Sequence, residues 1–335
     1  MTERILMAHG SGGKLSHELI TRCFVGRLAN QWLSRQDDAA CIDVGNSRFA
    51  FTTDSYVVSP LVFPGGNIGK LAVCGTVNDL AVSGAVPQYL SLAFILEEGL
   101  PFDVLEGIVE SIRSVAEEAS VHIVTGDTKV VPFGKADGLF INTAGVGHIL
   151  AGINVSGDNV RAGDAIIISG SIGDHGMAIM AQREGLRFEG ALSSDCAPLN
   201  GLISAMLQAC PDIHCMRDPT RGGVATTLNE IASQSQVGMF IEAESVPVQP
   251  AVRALSEILG IDPLYIANEG KVLVFAPAAA ANDLLKTMRS HKYGRDATII
   301  GKVTDTNAGQ VVLRSKLGTS HVLAMLAGDI LPRIC

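Results

Sequence analysis

The sequence predicts a mixed α/β (α+β) protein with two domains. Its 335 residues are 47% hydrophobic and 18% charged, a composition that can bury a sizeable core and argues against disorder. Strand and helix patterns alternate in the first half in the order β-β-α-β-α-β-β. A Gly-rich and polar stretch, residues 152–164, interrupts this pattern, and a second series of strands and helices follows it.

In the first half, two strand patterns are separated by a turn at Gly45–Asn46. Asn67–Ala85 has apolar residues at helical spacing, and Phe102–Ala119 is an amphipathic helix with glutamates on one side. The strands of this half are predicted at Ala39–Val44, Arg48–Thr53, Tyr89–Leu96, Val121–Thr125 and Leu139–Ile149. We therefore expect a sheet with helices packed on it.

The second half combines strand and helix patterns again. Helices are predicted from about Met177 and at Pro198–Ala209, Gly223–Ser233, Pro250–Leu259 and Ala278–Ser290. Strands are predicted at Ala165–Ser169, Met239–Glu242, Lys271–Ala276, Ala297–Lys302 and Gln310–Leu313. We expect an N-terminal domain over residues 1–155, a C-terminal domain over 156–327 and an extended, flexible tail over 328–335 that contains Gly328 and Pro332.

The charge and hydropathy of the chain exclude several classes of protein. The net charge is −9 and no cluster of Lys and Arg stands out, so we expect no nucleic-acid partner. No apolar run approaches the roughly 20 residues of a membrane helix, and the first residues lack a signal-peptide pattern. The sequence thus predicts a cytoplasmic protein with no membrane partner, in which a phosphate site is built from metal ions and backbone N–H groups.

Aspartates recur beside small residues at the predicted ends of strands and helices. They are Asp38, Asp54, Asp79 and Asp127. Each one alone is explained as well by a turn or a helix cap. Four of them in one domain favour a site for Mg²⁺, which prefers oxygen ligands and accompanies polyphosphates such as ATP.

Glycine-rich segments are the candidate phosphate loops in a chain that has no P-loop, although each segment alone is weak evidence. His9–Lys14 and Asp218–Gly223 both present backbone N–H groups that favour anions, and the second opens a predicted helix. The candidate nucleotide-binding residues are Gly10, Gly12, Gly13, Lys14, Thr53, Asp218, Thr220, Gly222 and Gly223.

The chain has seven cysteines, without a CxxC pair, and it ends on one of them. The other six lie in or beside apolar runs, where cysteine behaves as a small hydrophobe. A free thiol at the last position can be accidental. However, Cys335 lies on a tail whose seven or eight residues span roughly 25 Å when extended. We therefore regard Cys335 as the candidate carrier of a substrate.

Several short motifs together resemble a known superfamily. DDAA, TTDS, NDLAVSGA, GDT and DPTRGG occur in this order over nearly the whole chain and resemble the superfamily of aminoimidazole ribonucleotide synthetase and selenophosphate synthetase. Within that superfamily, MAHGSGGK, GDTKVV, NEGK and above all the terminal PRIC resemble the hydrogenase maturation factors of the HypE family. The resemblance implies a two-domain PurM-like fold whose N-terminal domain dimerises through its sheet, with ATP bound along the cleft.

The resemblance also implies a reaction and its partners. Cys335 would receive a carbamoyl group from the carbamoyltransferase HypF, and ATP would drive dehydration of that group to a thiocyanate. The cyanide would pass to iron held by the HypC–HypD complex during assembly of [NiFe]-hydrogenase. Such a dehydration requires positive charge near the transferred phosphoryl group and a base for the N–H protons. Lys129 and Glu269 are the candidates for these two roles, and the resemblance indicates the same two residues.

Two other interpretations compete with this one. The first is another enzyme of the superfamily, such as selenophosphate synthetase or thiamine-monophosphate kinase. The N-terminal glycine segment has Ser11 and Gly13 and no thiol, which argues against selenide chemistry, and a kinase gives the terminal thiol no role. The second is a non-catalytic carrier whose Cys335 ferries a ligand while ATP only regulates docking.

Overall fold

The computed structural model describes residues 4–28, 30–186, 192–326 and 333–335. At its N-terminal end, helix α1 (Lys14–Leu19) continues as a π-helical segment, Ile20–Val25, and ends in the short α2 (Gly26–Leu28). No helix was predicted from the sequence in this region. Within the described residues, no helix has the length and apolar character that crossing a bilayer requires.

Residues 40–149 form the first sheet. Its strands and a separate small ribbon are β1 (Ala40–Val44), β2 (Ser47–Tyr56), β3 (Val62–Phe63), β4 (Gly66–Asn67), β5 (Ala85–Glu97), β6 (His122–Val131) and β7 (Leu139–Ile149). In the described residues the order is β1-β2-β7-β5-β6, with β3 and β4 paired apart from it. All neighbours are antiparallel except β5 and β6, which are parallel. Strand β6 is therefore an edge strand.

Two helices cover one face of this sheet, α3 (Ile68–Val82) and α4 (Phe102–Ala119). Helix α3 begins at Asn67, whose side chain accepts the N–H groups of Gly69 and Lys70 at 3.0 Å. It is buried on nearly all sides because it lies between the sheet, α4 and the second half of the chain. The other face of the sheet is open and carries exposed apolar side chains, among them Phe51, Tyr89 and Ile95.

The second half of the described chain forms a seven-stranded sheet in the order β14-β13-β10-β12-β8-β11-β9. Its strands are β8 (Asp164–Ile168), β9 (Cys215–Arg217), β10 (Gly238–Glu242), β11 (Leu273–Pro277), β12 (Thr298–Thr304), β13 (Val311–Arg314) and β14 (Ser320–Val322). Its helices are α5 (Asp174–Arg183), α6 (Asn200–Ala209), α7 (Gly223–Ser235), α8 (Pro250–Leu259) and α9 (Ala281–Ser290). Together these elements confirm the mixed α/β class.

Several elements differ from the sequence predictions, and β5 begins at Ala85, which was predicted as the end of the preceding helix. Strand β6 does not end at Thr125 but continues to Val131, because it pairs with β5 along its whole length. Helix α5 begins three residues before the predicted Met177, because Gly173 adopts a left-handed conformation (φ 81°) that ends the preceding turn. The short β9 and β14 were not predicted, since three residues carry too little periodicity.

The described part of the tail is packed against both halves of the chain, since its backbone bonds Val57 and Ser59 in the first half and His175 and Arg183 in the second. Gly328 and Pro332 lie outside the described residues. Arg333 is not extended, because its φ of 57° is left-handed. Ile334 is buried with 4% of its surface exposed and belongs to the main hydrophobic core. The last three residues are thus docked in this structure.

Candidate active site

Three carboxylates meet between the two halves of the chain. Asp38 precedes β1, Asp79 lies on the last turns of α3, and Asp218 follows β9, and one oxygen from each lies within 4.8 Å of the others. Burial raises the pKa of Asp79 well above its usual range, and the charges of Asp54 and Asp218 raise it further. A divalent cation would remove this repulsion, and three carboxylate oxygens suit the hard cation Mg²⁺.

Neighbouring side chains hold these carboxylates in place. Thr52 Oγ1 donates to Asp79 Oδ2 at 2.8 Å, and the buried Arg217 donates from Nη1 to Asp38 Oδ1 at 2.9 Å. Burial raises the pKa of Asp38 well above its usual range, although Arg217 opposes the shift. Burial likewise raises the pKa of Asp218 to about 6. The cluster could therefore hold a cation, whose charge Arg217 only partly replaces.

Glu269 lies in the loop before β11 and is buried, with 3% of its surface exposed. Its Oε1 has no hydrogen-bond partner among the described residues. Burial raises the pKa of the Glu269 carboxyl well above its usual range, and the nearby Cys196 and Asp218 raise it further. A buried carboxyl with an unpartnered oxygen and a raised pKa is suited to proton transfer.

The side chain of Asp195 accepts hydrogen bonds from the loop that contains Glu269. Its Oδ1 accepts the N–H of Glu269 at 3.1 Å, and its Oδ2 accepts the N–H of Gly270 at 3.2 Å and Lys271 Nζ at 2.9 Å. A side chain at Gly270 would not fit, because its Cβ would lie 1.8 Å from the Asp195 carbonyl oxygen. The loop conformation is therefore fixed before any substrate binds.

Asn78 connects this loop to the first domain. It lies on α3 beside Asp79, its Oδ1 accepts the N–H of Leu199 at 2.8 Å, and its Nδ2 donates to Ala197 O at 3.1 Å and Glu269 O at 3.4 Å. A polar residue on an otherwise apolar helix thus bridges the two halves. As a result, Asp79 and Glu269 are held on the same cleft.

Cys335 enters the same cleft. Its carboxyl-terminal oxygen accepts the N–H of Val57 at 3.1 Å, just after β2. Burial raises the pKa of the Cys335 thiol to about 12, Arg221 opposes the shift, and Glu269 and Asp54 add to it. The thiol is therefore neutral at pH 7 in this position, with its sulfur among the charged groups of the cleft.

A cavity of about 430 Å³ opens beside the thiol, within the size range of small-ligand sites. Gly10, Ser11, Arg221, Gly222 and Cys335 are among its lining residues. The N-terminal glycine segment covers Arg221, whose Nη1 donates to Gly10 O at 3.3 Å. Gly12 permits this approach, since its Cβ would lie 2.6 Å from Arg221 Cβ.

Comparison with known proteins identifies the family whose motifs the sequence resembles. Family models for the N-terminal and C-terminal domains of AIR synthase related protein match residues 36–149 and 161–314. The carbamoyl dehydratase HypE of Azotobacter vinelandii is 52% identical over 329 residues, which cover 98% of this chain and 96% of that protein. The chain belongs to the HypE family of carbamoyl dehydratases. The matches also confirm the two-domain PurM-like architecture expected from the motifs.

Two solved HypE structures share this fold closely. One is hydrogenase maturation protein HypE in complex with ATP, with a TM-score of 0.84 at 49% identity, covering 99% of this chain and 100% of that one. The other is from a HypE–HypF complex, with a TM-score of 0.88 at 48% identity, covering 92% of this chain and 99% of that one. The first of these proteins was thus solved with ATP and the second with HypF.

The structure brings some predicted metal ligands of this HypE family member together and leaves others apart. Asp38 and Asp79 are in the carboxylate cluster, joined by Asp218, which the sequence analysis assigned to the nucleotide. Asp54 lies beside them and accepts from the Tyr56 hydroxyl at 3.2 Å. Asp127 is absent from the cluster formed by the described residues, because it lies on the edge strand β6.

Lys129 is also on β6 and is exposed, with its Nζ 2.9 Å from Asp127 Oδ2. Cross-strand pairing aligns Asp127 with Ala93, Asn142 and Ser55. Three strand spacings, about 14 Å, therefore separate Asp127 from β2. Because neighbouring residues of a strand face opposite ways, Asp127 also shares the open face with Ser55 and not the cleft face with Asp54.

The predicted nucleotide-binding residues are divided similarly. Gly222 and Gly223 have left-handed backbones and open α7, next to Thr220, whose carbonyl accepts the Gly223 N–H at 3.0 Å. Lys14 is exposed, and its Nζ lies 3.9 Å from Glu18. Thr53 is exposed on the open face of the sheet and donates to Thr143 O at 2.7 Å.

The sequence analysis did not identify several residues of the site. They are Asn78, Arg217, Arg221, Asp195 and His175. Asn78 and Arg221 lie inside motifs that were recognised, so their polarity was a usable signal. Asp195 and His175 act through contacts with residues more than 70 positions away, which no local pattern reveals.

Proposed function

We propose that this chain dehydrates an S-carbamoyl group on its own Cys335 to a thiocyanate, using ATP, to supply the cyanide of the [NiFe]-hydrogenase iron centre. The observation that carries the proposal is the docked terminal cysteine. In this structure the charges of Glu269 and Asp54 are near enough to raise the pKa of its thiol, and Asp54 in turn acts on Asp79 of the carboxylate cluster. The relatives named carbamoyl dehydratase HypE, about half identical over nearly the whole chain, support the same reaction.

The reaction balances with ATP as the only co-substrate. The carbamoyl oxygen of Cys–S–C(=O)–NH₂ takes the γ-phosphoryl group, ADP leaves, and the nitrogen loses one proton. The C–O bond then breaks, phosphate leaves with its electron pair, and the nitrogen loses its second proton to give Cys–S–C≡N. Phosphorylation is required because the unmodified carbamoyl oxygen would have to leave as hydroxide, which is a poor leaving group, whereas phosphate is a good one.

Glu269 is suited to take these protons. Its buried carboxyl is near enough to Cys335 for its charge to raise the pKa of that thiol. A carboxylate with a raised pKa is a stronger base than an exposed one and matches proton transfer near neutral pH. Asp195 and Asn78 hold its backbone, so Glu269 does not need to reorganise during the reaction.

Asp38, Asp79 and Asp218 are the residues that would hold Mg²⁺. When bound, the cation would neutralise both the carboxylates and the ATP phosphates. Arg221 and the N–H groups at the start of α7 supply positive potential on the cavity side. The cavity and this potential together support an ATP site between the N-terminal glycine segment and Gly222.

A second copy of the chain would bring Lys129 to the reaction. In one chain Lys129 lies on the open face of the first sheet, together with the exposed Phe51, Tyr89 and Ile95. An open apolar sheet face is suited to pairing with another subunit. We infer a homodimer in which Asp127 and Lys129 of each subunit complete the cleft of the other.

The partners follow from the proposed reaction. The HypE–HypF structure supports HypF as the carbamoyl donor for this chain. The HypC–HypD complex is proposed as the acceptor of cyanide. A cytoplasmic location remains a prediction of the sequence.

Mass spectrometry of the C-terminal peptide tests the proposal. After incubation with the carbamoyl donor system, ATP and Mg²⁺, Cys335 is expected to lose the mass of one water from its carbamoylated form, with one ADP formed per event. A carbamoylated tail that persists while ATP remains intact would support the non-catalytic carrier instead. Modification at another residue, or full activity of Cys335→Ala, would refute the proposal.

A further inference from the structure

His175 occupies a buried position beside the docked tail, outside the carboxylate cluster. It lies on α5, and none of its surface is exposed. Its Nε2 lies 2.9 Å from the carbonyl oxygen of Ile334, and its Nδ1 lies 2.8 Å from Ser194 Oγ. The ring also packs edge-on against Phe63 at 5.5 Å between centroids. Both ring nitrogens are therefore used.

The partners of the ring define its tautomer. A carbonyl oxygen only accepts, so Nε2 must carry the proton that bonds Ile334 O. In the neutral ring, Nδ1 is then an acceptor, and the Ser194 hydroxyl donates to it. Ser194 Oγ in turn accepts the N–H of Cys196 at 3.1 Å, which orients the hydroxyl. Burial lowers the pKa of His175, which keeps the ring neutral.

Several other contacts also go to the tail backbone, while the Arg333 side chain donates from Nε to Val57 O at 3.1 Å and pairs with Asp137. Ser59 donates its N–H to Arg333 O at 3.3 Å, and Val57 donates to the terminal oxygen of Cys335 at 3.1 Å. Arg183 donates to Arg333 O as well, and from Nε to Ser59 O at 2.5 Å. The carbonyl of Ile334 lies between these contacts, one residue before the thiol. His175 is the donor to this carbonyl, so His175 and Val57 together hold the backbone of the last two residues.

We propose that His175 is a positioning residue that, through its Nε2–H bond to Ile334 O, holds Cys335 in the cleft for dehydration. The inference rests on the proposed function of Cys335. The Ser194 hydroxyl selects the ring tautomer that makes this bond. The docked tail is in equilibrium with a released tail, and His175 sets part of the balance between them.

Two amide variants of similar size separate this role from a general structural one. In His175→Gln the amide nitrogen lies near the place of Nε2 and still reaches Ile334 O. In His175→Asn it lies near the place of Nδ1 and does not. Loss of one buried hydrogen bond shifts the docked-to-released balance by about fivefold. Ser194→Ala leaves the ring in place but removes the donor that selects its tautomer.

The first readout is the rate at which iodoacetamide modifies Cys335 in the full chain without carbamoyl groups, followed on the C-terminal peptide. The released thiol reacts faster because its proton is lost more easily in water. We expect modification about fivefold faster in His175→Asn, an increase in Ser194→Ala, and a rate within about twofold of the native one in His175→Gln. Equal rates in His175→Asn and the native chain, or equal rates in both amide variants, would overturn the proposal.

The second readout is the single-turnover rate of dehydration of the carbamoylated tail. We expect it to fall in His175→Asn and to recover in His175→Gln, with ATP affinity unchanged in both. If His175→Asn does not fold, the comparison of Ser194→Ala with the native chain decides, and an unchanged modification rate in Ser194→Ala refutes the role of the tautomer. Failure of the proposed function is distinguishable, because the native chain would then form no thiocyanate while the iodoacetamide rates still report on the contact.

Discussion

If Lys129 acts on the tail of the neighbouring subunit, two inactive variants must restore activity when they form mixed dimers. Lys129→Ala retains its thiol but gives its partner no lysine, and Cys335→Ala retains the lysine but has no thiol. In a mixed dimer the thiol of the first subunit meets the lysine of the second. The structural basis is the distance of about 14 Å and the opposite face that separate the edge strand from the cleft within one chain.

The magnitude follows from counting sites. Random pairing of equal amounts gives half mixed dimers, and each of these has one complete site out of two. The mixture is therefore expected to form thiocyanate at about a quarter of the native amount in a single turnover. The two chains are coexpressed with different affinity tags, and mixed dimers are purified through both tags, which raises the expectation to about half.

The matched control uses Glu269, which lies in the same cleft as the Cys335 of its own chain. Coexpression of Glu269→Gln with Cys335→Ala is expected to restore nothing, because no site then combines a thiol with an intact Glu269. Activity in this control and none in the Lys129 pair would reverse the assignment. No activity in either pair, despite purified mixed dimers, would refute action of Lys129 across the interface.

Three further predictions concern the cation and the base. Asp79→Asn is expected to weaken Mg²⁺-dependent ATP binding at least about tenfold in calorimetry. The control Asp43→Asn, which changes an exposed carboxylate on β1, is expected to alter the affinity little. Equal effects of the two variants would contradict a metal site at the carboxylate cluster. Glu269→Gln is expected to slow dehydration about 100-fold or more in single-turnover assays while ATP affinity changes less than about twofold, and an unaltered rate would exclude Glu269 as the base. Asp218 has a raised pKa of about 6, so below that pH it holds a proton that a bound cation must displace. Mg²⁺-dependent ATP affinity is therefore expected to fall as the pH decreases from about 7 to about 5. An affinity independent of pH would count against Asp218 as a ligand.

Local pattern predicted most of the regular elements. Helices α4 and α8 have the predicted bounds, because α4 is strongly amphipathic and α8 begins with Pro250 in its first turn. Strand β6 was predicted too short because Gly126 reads as a turn. In the structure, that glycine allows close pairing, since its Cβ would lie 2.0 Å from Leu92 O.

Site residues at the ends of helices and strands could be predicted from the sequence. Site residues whose role depends on contacts between distant segments could not. Asp79 stood out as an acid on an apolar helix, and Cys335 stood out by its position. In contrast, Asp127 was predicted from its place beside small residues at a strand end, but its side chain lies on the open face of the sheet, away from the helix that carries Asp79. That difference arises from strand register, which the sequence does not display when one face of the sheet is exposed and lacks a clear apolar pattern.

The charge of the cleft explains how an acidic chain without a P-loop can use ATP and a thiol. Asp38, Asp79, Asp218 and Glu269 lie around the reacting position, so an unaccompanied polyphosphate or a thiolate would meet negative charge. A bound cation would offset the repulsion between the carboxylates and the polyphosphate. A neutral S-carbamoyl group avoids the repulsion that a thiolate would meet. The thiolate that would accept the carbamoyl group is disfavoured in this position, because the pKa of Cys335 is raised to about 12. For the proposed reaction we therefore expect the thiol to be loaded in a different position of the tail, and the cleft of this structure to serve the dehydration step.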